Sequence, residues 1–259
     1  MKVVVIGAGA FAAEAARLIC RSPANHEVVI ADADPRRCRT LAEEIGARTC
    51  DLDPYSAGEI GRLCRGADLA FNTLTTRDAD ILRVAGATIA AGAHYVDAAD
   101  GRHGADRLVH GPGLDRAARA AGVTVLMGIG FSPGLTDLIA GWAAQSFDSA
   151  PEIAIRKTRG HRCLPGQAAR TESTWQVVAR GEAGGRATRV VFGGFAGHNH
   201  SLAAHTAAVA IDDILSGMIT TRGLVGPQDC IEPEPFVLRV LDEAGSSLRR
   251  FTSETTDIL

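Results

Sequence analysis

The sequence predicts an α/β fold, a doubly wound parallel sheet with a second, smaller α+β domain, and three observations carry the prediction. Six apolar runs alternate with helical stretches over the first 145 residues. The first run, Val3 to Ile6, is continuous and rich in β-branched residues, as a strand buried on both faces requires. From Glu152 the pattern changes to alternating strands followed by one long helix.

The first run ends at Gly7-Ala8-Gly9, and a helix from Ala10 to Cys20 follows. Strand, glycine turn and helix give the G-x-G-x-x-[G/A] match its dinucleotide-binding context, that of a Rossmann domain. Gly7 permits the turn. Gly9 lets the backbone approach a pyrophosphate, and Ala12 keeps helix and strand close. The N–H groups of the first helical turn favour the negative charge. A glycine turn in an unliganded domain is the alternative.

Glu27 to Ala31 is the second strand, with Asp32 at its carboxyl end, where an acid accepts from the adenosine ribose hydroxyls. Such an acid favours NAD, while Arg36 and Arg37 keep NADP open. Asp32 can also cap a helix, although Asp34 before Pro35 is the better cap. A helix spans 36–45, a short strand 47–50 ends in Asp51, and another helix spans 54–65. The fourth strand, 67–74, carries Asn72 and Thr73 towards the cofactor ribose; Asn72 serves a local turn equally well. After a helix over 80–91, the fifth strand (94–98) ends near Asp97, with Asp100 and His103 facing the same crevice. A helix over 114–121 and a sixth strand over 123–127 complete the sheet.

A second glycine-rich loop, Gly128 to Gly134, feeds a helix over 135–145. Free N–H groups there, Gly130 among them, would receive the nicotinamide amide or a substrate carboxylate; a connector between domains is the other reading. Strands follow over 152–158, 174–180 and 187–192, the last two joined through a loop at 181–185, then a helix over 201–216 with an alanine-rich stripe. The division expected is a dinucleotide-binding domain over 1–133, a small α+β domain for substrate or dimerisation over 134–222, and a tail over 223–259 packing back on the first. His198, His200 and His205 lack a completing ligand set, so no metal is expected.

At 259 residues and 46% hydrophobic, the chain can bury a sizeable core. A net charge of −3 and a pI near 6.2 argue against nucleic acid or an anionic membrane as partner. With no membrane-length apolar run and a core strand from residue 3, no leader and a cytoplasmic location are expected. The six cysteines are scattered, as reduced thiols are. Lysine occurs only at 2 and 157; the remaining basic charge is arginine, in keeping with genome composition.

GAGAFA at the amino end, FNTL after the fourth strand, AGAHYVDAAD at the fifth and GFSPGLTDL after the sixth resemble the saccharopine dehydrogenase-like oxidoreductases. The ending GMITTRGLVGPQDCIEPEPFVLRVLDEAG is similar to theirs, with Pro227-Gln228 where Pro-Glu is usual. The resemblance implies hydride transfer between a nicotinamide cofactor, NAD or NADP, and a carbon–nitrogen bond of an imine or amine, amino-acid-like or polyamine-like. It implies that Gly7, Gly9, Ala10, Phe11 and Asp32 bind the cofactor and that Asn72 and Asp97 lie near its nicotinamide half. The chain departs from the family in a shortened substrate domain. A pocket closed by a second subunit, a large or carrier-bound substrate, or a scaffold or sensor without activity would each fit that departure.

Hydride transfer to an iminium carbon needs positioning more than strong acid catalysis. Asp97 and Asp100 are placed to stabilise the cation. Tyr95, His103 and His161 are candidate proton donors, and Arg159 and Arg170 can grip a substrate carboxylate. Tyr95 can equally be a core residue with a satisfied hydroxyl, and the others solvated surface. A homodimer is expected.

Overall fold

The computed structural model describes residues 1–74, 78–98, 111–162, 170–196 and 199–254. Within them the order is β1 (Lys2–Ile6), α1 (Ala10–Arg21), β2 (Glu27–Asp32), α2 (Pro35–Ile45), β3 (Arg48–Asp51), α3 (Ala57–Cys64), β4 (Leu69–Asn72), α4 (Asp78–Ala90) and β5 (His94–Asp97). Then come α5 (Pro112–Ala121), β6 (Thr124–Leu126), α6 (Leu135–Ala144), β7 (Glu152–Arg162), β8 (Arg170–Ala183), β9 (Arg186–Ala196), α7 (Asn199–Ser216), β10 (Gly223–Val225), α8 (Pro227–Cys230), α9 (Pro233–Glu243) and β11 (Leu248–Glu254).

Seven parallel strands form the large sheet in the order β10-β6-β5-β4-β1-β2-β3. Its core explains the apolar run at the amino end. Val3 and Val5 face the layer of α1, beside Ala12, Ala15, Ala16 and Ile19. Val4 and Ile6 face the opposite layer, beside Ile60, Ile81 and Val84. With both faces covered, Val3 to Ile6 are all fully buried and leave no room for a polar side chain, while Lys2 opens the strand half-buried. The strand order reverses between β1 and β4, which opens a crevice at their carboxyl ends.

Helix α7 packs along α1. Asp212 ties the two together, accepting from Ser22 Oγ at 2.9 Å and pairing with the buried His26 ring at 2.7 Å. The tail divides. β10 adds a parallel strand beyond β6, almost a hundred residues later in the chain, whereas β11 pairs antiparallel with β9.

The second sheet is antiparallel, in the order β11-β9-β8-β7. Its inner face, Trp175, Val177, Ala179, Val190 and Phe192, joins the core shared with α6, where Trp142 meets Phe192 at 4.7 Å between ring centroids. The β8–β9 connection is shorter than the loop expected from sequence. It is the two-residue turn Gly184-Gly185, with φ of 59° and 73°, the paired positive values that suit strand twist. The strands also run past their predicted ends, through Gly181 and Gly194. A Cβ at Gly181 would come within 2.9 Å of the Phe147 ring, and one at Gly194 within 2.8 Å of the Trp175 ring. Among the described residues no helix is long and apolar enough to cross a membrane.

Candidate functional site

The glycine turn lies at the switch point between β1 and β4. Gly7 has φ +112° and donates its N–H to Ala31 O at 2.7 Å. A Cβ there would collide with Thr73 Oγ1, and Thr73 is fixed by two bonds to Ile6 O, from its N–H and its hydroxyl, each 2.9 Å. Gly9 behaves oppositely. Its backbone is extended, and nothing lies within 4 Å of where its Cβ would be. As N-cap of α1 it offers no side-chain cap to the first-turn N–H groups. Ala10 and Phe11 open that helix, with the Phe11 ring set edge-on against Phe71 at 5.9 Å. Empty space over an uncapped helix N-terminus fits a pyrophosphate.

Asp32 braces the turn from the next strand. Oδ2 accepts from Ala8 N at 2.8 Å and Oδ1 from Asp34 N at 2.9 Å. Capping of α2 falls to Asp34, which accepts from Arg36 N and Arg37 N. A carboxylate has about four lone-pair sites, so Asp32 retains acceptor capacity for ribose hydroxyls. Asp51 is its register partner on β3. Burial, with the Asp32 charge next in size, pushes the Cys38 thiol beneath it up to about 11, so the thiol stays neutral. Arg17, Arg36, Arg37 and Thr40 line a concavity that reaches Ala8.

Asn72, Tyr95 and Asp97 form one buried chain at the ends of β4 and β5. Asn72 Nδ2 donates to Tyr95 Oη at 2.9 Å, and the Tyr95 hydroxyl donates to Asp97 Oδ2 at 3.0 Å. Asp97 Oδ1 accepts from Gly128 N, and Asn72 Oδ1 from Leu74 N. The three are 2%, 0% and 1% exposed, so they act from behind the crevice wall.

The second glycine loop is closed on itself. Ile129 N bonds Asp97 O, Gly130 N bonds Pro133 O, Leu135 N bonds Gly130 O, and Gly134 N bonds the Asp137 carboxylate at 2.8 Å. Gly130 therefore presents no free N–H, contrary to the expectation for this loop. Its glycines serve packing: a Cβ at Gly130 would lie 3.3 Å from Ala98 Cβ, and one at Gly134, where φ is +115°, would collide with Gly130 O.

Asp100, His103 and His198 lie outside the described residues. Arg159 and His161 occupy β7, and Arg170 begins β8. His205 Nδ1 bonds Ser201 O within α7 at 2.9 Å. The sequence reading singled out neither Phe131 nor Lys157 for a site. The structure stacks the Lys157 ammonium on the Phe131 ring, 4.8 Å from its centroid. The available signal was one lysine standing alone among arginines.

An open glycine turn at the switch point and a bracing acid at the end of β2 are the features of a dinucleotide-binding Rossmann domain, with a buried carboxylate network beside them. Residues 3–126 match the family described as the saccharopine dehydrogenase NADP-binding domain. The fold is similar to that of apo saccharopine dehydrogenase (L-Glu forming) from Saccharomyces cerevisiae, at 11% identity and TM-score 0.73, over 97% of this chain and 99% of that one. It is similar to homospermidine synthase from Legionella pneumophila in complex with NAD, at 8% identity and TM-score 0.70, over 99% and 92%. It is also similar to an engineered D-amino acid dehydrogenase bound to NADP+, at 14% identity and TM-score 0.63, over 92% and 95%. At these identities the likeness is one of fold.

Proposed function

We propose that the protein transfers a hydride between nicotinamide and a C=N or C–N bond of an amino-acid-like or polyamine-like imine or amine. The observation that carries the reading is the buried Asn72–Tyr95–Asp97 chain directly behind the crevice. A carboxylate in that low-dielectric position favours a cation in the crevice, which is the charge of an iminium substrate. The match of residues 3–126 to the saccharopine dehydrogenase NADP-binding domain supports the redox part of the reading.

The nicotinamide, when bound, supplies or accepts the hydride. Gly9 and the first turn of α1, through Ala10 and Phe11, hold the pyrophosphate. Asp32 holds the ribose and favours NADH over NADPH, while Arg36 and Arg37 keep some affinity for a 2′-phosphate. Asn72, fixed by Tyr95, sets the wall beside the nicotinamide. Asp97 stabilises the substrate cation by its field, and Tyr95 transmits that charge to Asn72 through its hydroxyl. His103 remains our candidate proton donor.

We also place a homodimer contact on the outer face of the small sheet. Phe251, 74% exposed, lies in register with Val191 there. Light scattering should give twice the chain mass, reduced to one chain mass by Phe251→Lys.

Titration with NADH and NADPH, followed by nicotinamide fluorescence, tests the cofactor reading, and a panel of cyclic imines tests the reaction. The expected results are saturable binding, tighter for NADH, and oxidation of NADH by at least one imine. Absence of binding at millimolar nucleotide would overturn the oxidoreductase reading. Binding without turnover of any imine would overturn the substrate class and favour a scaffold or sensor.

A further inference from the structure

The outer face of the small sheet carries a recess that hydride transfer leaves unused. Strand alternation puts Gln176 of β8, Arg189, Val191 and Gly193 of β9, and Arg249 and Phe251 of β11 on that face. Together they line a hollow of ≈ 350 Å³. Arg249 is in register with Gly193 and Phe251 with Val191, and Arg189 lies two residues beyond Val191 on β9. The apolar pair therefore sits between the two arginines, whose backbones stand roughly 14 Å apart along the strands.

Gly193 is what makes the hollow. Its neighbour Gly194 is demanded by packing, since a Cβ there would come within 2.8 Å of the Trp175 ring and 2.9 Å of Ser247 O. Position 193 carries no such demand. Its φ is not positive, and a Cβ would lie 3.4 Å from Trp175 O and 3.5 Å from Gln176 Cγ, both ordinary contacts. Neither strain nor crowding inside the fold calls for glycine, and a side chain there would only fill the recess.

We propose that this hollow binds an organic diacid with an apolar middle, at a site apart from the nicotinamide crevice. The site goes beyond the carbon–nitrogen reading and does not depend on it. Phe251 and Val191 offer apolar surface to the middle of such a molecule. Arg189 and Arg249 are exposed, and among the described residues neither guanidinium has an ion-pair partner. Each can give a carboxylate two parallel N–H bonds. No acid lines the hollow. The concavity between α1 and α2 differs on that point, for Glu44 lies in it and neutralises Arg17 at 2.6 Å. A cationic and apolar lining selects an organic anion, and a cation on either side of the apolar centre selects one with an acid at each end. Phe251 also carries the homodimer contact proposed above, so the diacid and a second copy compete for this face.

The test is calorimetric titration with octanedioate, against octanoate and 1,8-octanediol, at several protein concentrations and with and without NADH. The wild type should bind octanedioate saturably and at least tenfold more tightly than octanoate, and should not bind the diol. NADH should leave these affinities unchanged, and added salt should weaken them. Arg189→Gln and Arg249→Gln should each weaken octanedioate at least fivefold and narrow its lead over octanoate. Gly193→Val fills the recess with a residue that strands accept, and should remove binding. All three variants should keep the wild-type melting temperature and NADH affinity, which separates loss of the site from loss of the fold. Absence of binding at millimolar octanedioate would overturn the proposal. So would octanoate binding as tightly as octanedioate, unchanged affinity in the two arginine variants, or competition between octanedioate and NADH.

Discussion

The two glycine-rich loops at the carboxyl edge of the large sheet both follow a strand and feed a helix, and they have opposite uses. In the first, Gly9 faces empty space, and the N-terminus of α1 is left uncapped. In the second, Gly130 and Gly134 press against each other, and the N–H groups of Gly128, Ile129, Gly130 and Gly134 are bonded to Asp97, to the loop's own Pro133 carbonyl or to Asp137. Glycine at such a place reports only that backbone comes close to something. What that something is, a ligand or another part of the chain, is decided by which atoms surround the missing Cβ.

Exchanging substitutions between the loops should break the symmetry most sharply. Gly9→Asp puts a negative charge into the open space, so NADH affinity should fall by about 100-fold or more, near 3 kcal/mol, with an unchanged melting temperature. Gly134→Ala combines positive φ with a backbone collision and should cost about 3 kcal/mol or more. For a chain of this size that is roughly a 10 °C fall in Tm by calorimetry. If Gly134→Ala melted like wild type while losing NADH, the second loop would be a ligand cradle after all.

Tyr95→Phe sharpens the comparison from the strand side. It leaves Asn72 Nδ2 buried without its acceptor, at a cost of about 1–3 kcal/mol in chemical denaturation. Turnover should fall with little change in NADH affinity, because the glycine turn is untouched.

The smallest effect expected is at the opposite, amino-terminal edge. Burial, and then the Arg222 charge, lower the His94 pKa, and its neutral Nδ1 accepts from Thr124 N at 2.9 Å. A depressed folded pKa means that this stabilisation is full above the ordinary imidazole range and is lost as pH falls through about 6.5. Melting temperature should therefore drop between pH 7 and pH 5, and His94→Gln should flatten that slope without touching cofactor binding.

Most of the large sheet was legible in the sequence, because strands buried on both faces must be written as continuous apolar runs. The glycine turn was legible for the same reason, since its meaning depends on the strand before it and the helix after it. The small sheet was less so. Its strands are interrupted by Gly181 and Gly194, which break the alternation where rings pack over the backbone. β10 and β11 were missed because a three-residue strand has no period to detect and β11 is exposed almost throughout. In the site, the capping role of Asp34 followed from Pro35. The bond of Ala8 to Asp32, the bond of Asn72 to Tyr95, and the stacking of Lys157 on Phe131 join residues more than twenty positions apart, a separation that carries no local pattern.

Placing β10 beyond β6 has a consequence for how the protein is made. Until residues 223–225 leave the ribosome, β6 stands as an open edge with unpaired backbone groups. Strands β7 to β9 of the second sheet must be synthesised meanwhile, and closure across so long a loop is slow. The newborn amino-terminal half is thus a sheet awaiting its last strand, and that interval is when a chaperone, or another copy of the same half, has an edge to capture.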